Sequence, residues 1–284
     1  MICVLLATYR PDATMLSEQV ESIRTQTDVA VKLISREDPD GAGAMANFAA
    51  LLREADGEVS DSDYIALADQ DDVWMPQKLS RQMAKMREME AQLGKNTPIL
   101  VFCDAMPVDK DLNPLGSSML AWQGIDVEKG VRLPRLLMQN FISGNMMLMN
   151  AALLRKAGPV PADAIMHDSW IALVAAAFGK LAFVPEVLVK YRQHSKNVLG
   201  GTKSGMAHVM RRWSEGALAF RERLALNVRQ AAALVERFGD ESPACAKALA
   251  AFPAKSWLGR RLAIVRNGLW KHGFCRNLAL MLWS

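Results

Sequence analysis

The stretch Tyr64-Ile65-Ala66-Leu67-Ala68-Asp69-Gln70-Asp71-Asp72-Val73-Trp74 places a short apolar run directly before three carboxylates in four positions. A run of that length, ended by turn residues, reads as a strand buried in a sheet. The carboxylates then fall just beyond its carboxyl end, where open α/β sheets bind their ligands. Aspartates this crowded repel one another, so a divalent cation or several hydrogen-bond donors are needed to keep them ionised. Oxygen donors suit Mg2+ or Mn2+, ions that commonly join carboxylates to substrate phosphates. The plainer alternative is a helix N-terminus capped by Asp72, with acidic partners for the helix dipole.

Outward from this stretch, strand-like and helix-like patterns alternate, the signature of a mainly parallel sheet covered by helices. Strands are expected at residues 2–7, 29–35, 64–68, 99–103, 146–149 and 188–191. Helices are expected around Leu16, Val20 and Ile23, at 44–55 and at 77–93. In the last of these, Leu79, Met83, Met86, Met89 and Leu93 share a face that reads as core packing. Residues 106–132 lack periodicity and read as a long loop or small insert. After Gly200-Gly201 the pattern becomes a long amphipathic helix, with Met206, Met210, Trp213, Ala217, Phe220 and their successors to Phe238 stepping by three or four. Trp257, Leu262, Val265, Leu269 and Trp270 repeat it among basic residues, although Gly259, Gly268 and Gly273 weaken one straight helix. A boundary near residue 203 separates a domain at 1–202 from a helical segment at 203–284.

Among the 284 residues, 51% are hydrophobic and 23% charged, which fits a globular protein with a full core and excludes a disordered chain. No apolar run approaches the roughly 18–20 residues that span a bilayer, and Met1-Ile2-Cys3-Val4-Leu5-Leu6 reads as a strand, so neither a transmembrane helix nor a signal peptide is expected. Cys3, Cys103, Cys245 and Cys275 are scattered without CxxC spacing, which suits reduced thiols in a cytoplasm. The net charge of +4 conceals an asymmetry: from Lys203 onward 14 basic residues face 5 acidic ones, whereas the first 202 residues carry 20 against 25. A basic tail on an acidic body implies an anionic contact, and peripheral docking on an anionic membrane is one expectation. A helical cap or an oligomer contact is the other. Nucleic acid is not expected, because no recognition motif accompanies the charge.

Ala7-Thr8-Tyr9-Arg10 ends the first strand and Arg36-Glu37-Asp38 ends the second, so three polar clusters converge on one sheet edge. Ser143-Gly144-Asn145-Met146, His167-Asp168-Ser169-Trp170 and Tyr191-Arg192-Gln193-His194-Ser195-Lys196-Asn197-Val198 follow in order. With the Asp-Gln-Asp-Asp phrase, these motifs resemble family 2 of the GT-A glycosyltransferases, and within it the rhamnosyltransferase-like branch. The resemblance covers residues 1–201. It implies an α/β fold of GT-A type, Rossmann-like with a mainly parallel sheet, followed here by a C-terminal helical segment. It also implies inverting transfer of a sugar from a nucleotide-diphosphate donor to a hydroxyl of a surface-polysaccharide or polyprenyl-linked glycan acceptor. dTDP-L-rhamnose is the favoured donor, with a UDP-hexose or UDP-N-acetylhexosamine as the alternative.

Carried over by position, the resemblance implies that Ala7, Thr8 and Tyr9 line the nucleotide pocket, that Asp38 bonds a pyrimidine base and that Asp69 lies by the ribose or deoxyribose. Asp71 and His194 would hold Mn2+ or Mg2+, and Asp168 matches the catalytic base. Ser143, Gly144, Asn145, Trp74, His167 and Trp170 are the expected donor-sugar or acceptor contacts, with core packing an equal alternative for Trp74, and Trp122 is a further ring suited to stacking. Asp168 also suits a helix N-cap before the apolar residues 171–178. Arg36-Glu37-Asp38-Pro39-Asp40-Gly41 departs from the family's Asp-Asp-Gly-Ser wording, which leaves Asp40 as an alternative to Asp38. Two other classes compete. A nucleotidyltransferase would bring a Gly-rich phosphate loop after the first strand, which Thr8-Tyr9-Arg10-Pro11 is not. A non-catalytic nucleotide-sugar or partner-binding module would keep the fold without the chemistry.

Overall fold

The computed structural model describes residues 1–38, 40–193 and 216–284. In chain order the elements begin β1 (Ile2–Thr8), α1 (Ala13–Arg24), β2 (Val31–Glu37), α2 (Ala44–Glu58), β3 (Tyr64–Asp69), β4 (Val73–Trp74), α3 (Lys78–Leu93) and β5 (Ile99–Val108). Next come α4 (Met119–Gln123), α5 (Val127–Gly130), α6 (Leu133–Met138), β6 (Met147–Asn150), α7 (Ala151–Ala157), α8 (His167–Phe178) and β7 (Lys180–Arg192). Among the described residues there follow α9 (Gly216–Phe238), α10 (Ala244–Ala250), α11 (Trp257–Asn267) and α12 (Phe274–Trp283).

These elements form two compact units, the second built from Leu120–Phe141, Pro161–Ala177 and the C-terminal helices. Among the described residues, the first unit holds one seven-stranded sheet in the order β2-β1-β3-β6-β5-β7-β4. β1 pairs in parallel with β2 and β3, and β5 pairs in parallel with β7. β6 runs antiparallel to both β3 and β5, so those two strands point the same way. Five strands therefore aim their carboxyl ends at one edge, with β6 and β4 reversed. Every residue of β1 is buried, as a strand covered on both faces requires. Ile23 of α1 and Leu79, Met83, Met86 and Met89 of α3 pack into the same core as Val4, Leu6, Val101 and Leu148. The methionine stripe is thus core, while Leu93 at its end is exposed.

β7 is much longer than the four residues expected, because Pro185 interrupts its pattern without ending it. The register with β5 passes from Phe102↔Phe183 to Asp104↔Val187, so the proline sits in a bulge where no ladder bond is required of it. β5 also runs on through Pro107. β6 pairs only with Leu100, Val101 and Phe102, so it asks no ladder bond of the N–H that Pro107 lacks.

In the second unit, α8 is enclosed along Trp170, Ile171, Ala172, Leu173, Val174 and Ala175. Residues expected as loop after 118 form the short helices α4 and α5. The C-terminal pattern is split in two: Gly268, at φ 65°, ends α11 and Gly273, at φ 85°, starts α12. Between them lies His272, buried against Phe141 and Gly130. A Cβ at Gly130 would meet Phe141 at 2.7 Å, so this close approach requires glycine. No helix among the described residues is long and apolar enough to cross a membrane.

Candidate functional site

The parallel register brings the three polar clusters together. Thr8 lies beside Glu37 across β1 and β2, and Ala7 lies beside Asp69 across β1 and β3. The Asp38 N–H donates to the Thr8 carbonyl at 2.8 Å. Asn47, buried on α2, donates from Nδ2 to the Thr8 and Arg36 carbonyls at 3.1 and 3.2 Å and so locks the ends of both strands. The Asp38 carboxylate accepts from the Gly43 and Ala42 N–H groups at 2.8 and 3.1 Å. Those bonds, Gly43 first, hold it below the usual carboxylate range. Tyr9 is exposed, and its backbone N–H and carbonyl pair with the Gln70 side chain at 2.7 and 3.2 Å. Gln70 therefore ties the end of β1 to the acidic turn, a role the sequence reading did not assign.

The acidic turn is braced from below. Gln19 donates to the Asp69 carbonyl at 3.0 Å, the Trp74 N–H donates to Ser22 Oγ at 3.0 Å, and Gln26 bridges the Met75 carbonyl and the Leu79 N–H. Gln19 and Ser22 on α1, and Gln26 just past its C-terminal end, are all buried, so the polar groups that hold the turn are shielded from water. Asp72 points inward and is fully buried, accepting from Asn145 Nδ2 and, at 3.1 Å, from the Arg192 N–H. Burial, and then the nearby Asp71 and Asp69, push its carboxyl well above the usual range. The guanidinium of Arg192, itself buried, donates to the Asp71 carbonyl at 2.7 Å, to the Lys110 carbonyl, and to Glu18 at 2.5 Å. One arginine thus links the turn to the loop after β5 and to α1. Replacing it as Arg192→Met leaves two carbonyls short of a donor, so a stability loss of roughly 2–3 kcal/mol is expected, or about 5–10 °C in melting temperature. Thermal unfolding followed by circular dichroism measures it, and an unchanged midpoint would remove Arg192 from the brace.

Of the six expected sugar contacts only Ser143 is partly exposed. Asn145 is spent on Asp72, and Trp74 is 2% exposed beneath the turn with Lys78 Nζ 3.4 Å from its ring centroid. Burial lowers that ammonium to about 8. Trp74 is therefore packed against a cation and offers no ring face to solvent.

In the second unit, His167 and Asp168 open α8. His167 is 3% exposed and Trp170 is fully buried, so neither ring reaches the surface. Burial pushes the His167 imidazole down to about 3, which leaves it neutral at physiological pH. Asp168 is half-buried, and one of its oxygens accepts from the Ser169 N–H at 2.5 Å. Gln230 of α9 clamps this corner, accepting from the Ile165 N–H at 3.0 Å and donating to Ser169 Oγ at 3.1 Å. His194 lies outside the described residues.

No three His, Cys, Asp or Glu side chains among the described residues form a ready metal cage. With Asp72 turned inward, the turn fits a Mg2+-type site instead, in which one or two carboxylates meet an ion that also holds substrate phosphates.

No family model matches the chain. Over 157 residues, 55% of its length, it is 27% identical to uncharacterized proteins of Mycobacterium tuberculosis (strain H37Rv) and Mycobacterium bovis, and the match spans 40% of each of them. Among solved structures it is similar to S. aureus TarS, with a TM-score of 0.51 at 15% identity over 92% of this chain and 54% of that one. It is also similar to residues 1–349 of TarS in complex with UDP, at a TM-score of 0.50 and 12% identity over 94% and 91% of the two chains. The fold is accordingly of GT-A type, a curled and mainly parallel sheet followed by C-terminal helices.

Proposed function

We propose that this chain is a metal-dependent, inverting glycosyltransferase that moves a sugar from a nucleotide-diphosphate donor to a hydroxyl of a glycan acceptor. The observation that carries the reading is the Asp69-Gln70-Asp71-Asp72 turn, braced by α1 and Arg192 at the carboxyl edge of parallel strands. The GT-A fold and the ordered sequence motifs support it. In this reading Ala7, Thr8 and Tyr9 line the nucleotide, Asp38 accepts from the imide N–H of a pyrimidine, and Asp69 meets the ribose or deoxyribose. Asp71 and His194 would hold Mn2+ or Mg2+, which would supply positive charge to offset that of the leaving diphosphate. Asp168 takes the acceptor proton while the hydroxyl oxygen bonds to the anomeric carbon and the bond to diphosphate breaks on the opposite face.

The motif resemblance favours dTDP-L-rhamnose as donor, and the likeness to TarS, solved with UDP, favours a UDP-sugar as the second choice. Melting curves with dTDP, UDP, GDP and CDP, each with and without Mn2+, test the reading. A ligand at about 100 times its Kd stabilises the folded state by about 2.7 kcal/mol, a rise of several degrees. A shift with dTDP or UDP that needs Mn2+ is the expected result. No shift with any nucleotide, in a protein shown to be folded, would favour a non-catalytic module.

A further inference from the structure

The last two helices carry an apolar surface that the fold does not cover. On α11, Trp257, Leu258 and Leu262 are exposed by 62%, 69% and 48%. At about 100° per residue they fall within an arc of about 140°. On α12, Phe274 at 81%, Leu278 and Leu282 are exposed at intervals of four, which is a single stripe. The two helices are one piece. Arg261 is buried and donates to the carbonyls of Met281, Leu282 and Ser284 at 2.9, 3.1 and 2.5 Å, and to that of Trp257 on its own helix at 3.0 Å.

Charge selects what covers such a surface. Residues 255–284 include six basic residues and no acidic one, and Arg266 is exposed beside the apolar stripe. A second copy of the chain would set the same positive charge against itself. A neutral apolar partner would leave the exposed Arg266 without a counterpart. Indole and phenyl rings set among arginines suit the headgroup zone of an anionic bilayer, where the rings enter the acyl boundary and the cations meet phosphate. We propose that α11 and α12 together form a docking surface for an anionic lipid membrane.

Flotation of the purified chain with lipid vesicles tests this. Vesicles of phosphatidylcholine with about one third phosphatidylglycerol are compared with vesicles of phosphatidylcholine alone. The expected result is binding to the anionic vesicles at least about tenfold tighter than to the neutral ones, falling as salt rises. Combining Trp257→Ser, Leu258→Ser and Phe274→Ser should weaken binding to the anionic vesicles more than about tenfold. Arg266→Gln should weaken it about fivefold on the anionic vesicles alone. Because the serine sites are exposed, an unchanged melting temperature certifies the fold of the triple variant. Failure to float with anionic vesicles, or flotation that the triple variant leaves intact, overturns the proposal. So does self-association in sedimentation equilibrium that the triple variant abolishes, since the surface then belongs to a second copy.

Discussion

Asp168→Asn is expected to lower kcat by about a thousandfold while leaving nucleotide binding unchanged, and Asp71→Ala is expected to remove the metal-dependent nucleotide shift itself. The two losses differ because the residues are assigned different work. An amide in place of the Asp168 carboxylate keeps size and hydrogen bonding but cannot take up the acceptor proton, and general-base catalysis contributes about 10²–10⁴-fold. The Ser169 N–H that now donates to Asp168 can donate equally to an amide oxygen, so the start of α8 keeps its shape. Asp71→Ala removes a carboxylate that no neighbour replaces, because Asp72 is turned inward and committed to Asn145 and Arg192. Asp72→Asn supplies the contrast. Its oxygen still accepts from the Arg192 N–H, and Asn145 can turn its Oδ1, which has no hydrogen-bond partner in the structure, toward the new amide. Nucleotide affinity within about threefold of the parent is therefore expected for Asp72→Asn. Single-turnover kinetics and melting curves on the three variants check this. Equal losses at Asp71 and Asp72 would mean the turn is held together by charge rather than built around one ligand.

Most of the first unit was legible because buried strands and amphipathic helices write their burial into the sequence at short range. Three carboxylates in four positions cannot enter a core unaided, so the acidic turn was equally plain. What escaped was polar and tertiary. Gln19, Ser22 and Gln26 look like ordinary polar positions in and just after a helix, and only the packing of α1 under the turn makes them braces. Arg192 stood inside a quoted motif without a role, because its partners include residues as far apart as 18, 71, 72 and 110. β7 was cut short because Pro185 mimics a strand end, and the bulge that absorbs it is a property of the pairing. α6, α7 and α10 have six or seven residues each, too few for a 3.6-residue period to declare itself. The tryptophans expected to stack on sugar carried no local sign that Trp74 and Trp170 are enclosed.

The second unit should lose stability steeply as pH falls below 6.5, through two histidines held neutral inside it. His167 is pushed down to about 3 by burial alone. His272 is pushed down to about 4 by burial first, then by Arg135 and Arg276, with Asp126 opposing and Lys129 adding to the depression. Both fold as neutral imidazoles, whereas in the unfolded chain each takes a proton near pH 6.5. Below that pH the unfolded state binds more protons, so stability falls with acid. Each histidine contributes about 1.4 kcal/mol per pH unit, which makes roughly 4 kcal/mol for the pair by pH 5. Asp126, held low by Lys129, titrates below this window and leaves it clean. Asp72 works in the opposite sense in the first unit, because its raised folded value favours the native state on acidification. Acid should therefore weaken the helical unit before the sheet. Urea unfolding between pH 6.5 and 5 measures the slope, and His272→Phe should halve it for the second unit by removing one site while keeping a ring against Phe141. A slope that His272→Phe leaves intact would mean this imidazole is protonated in the folded protein, with Asp126 rather than burial setting its charge.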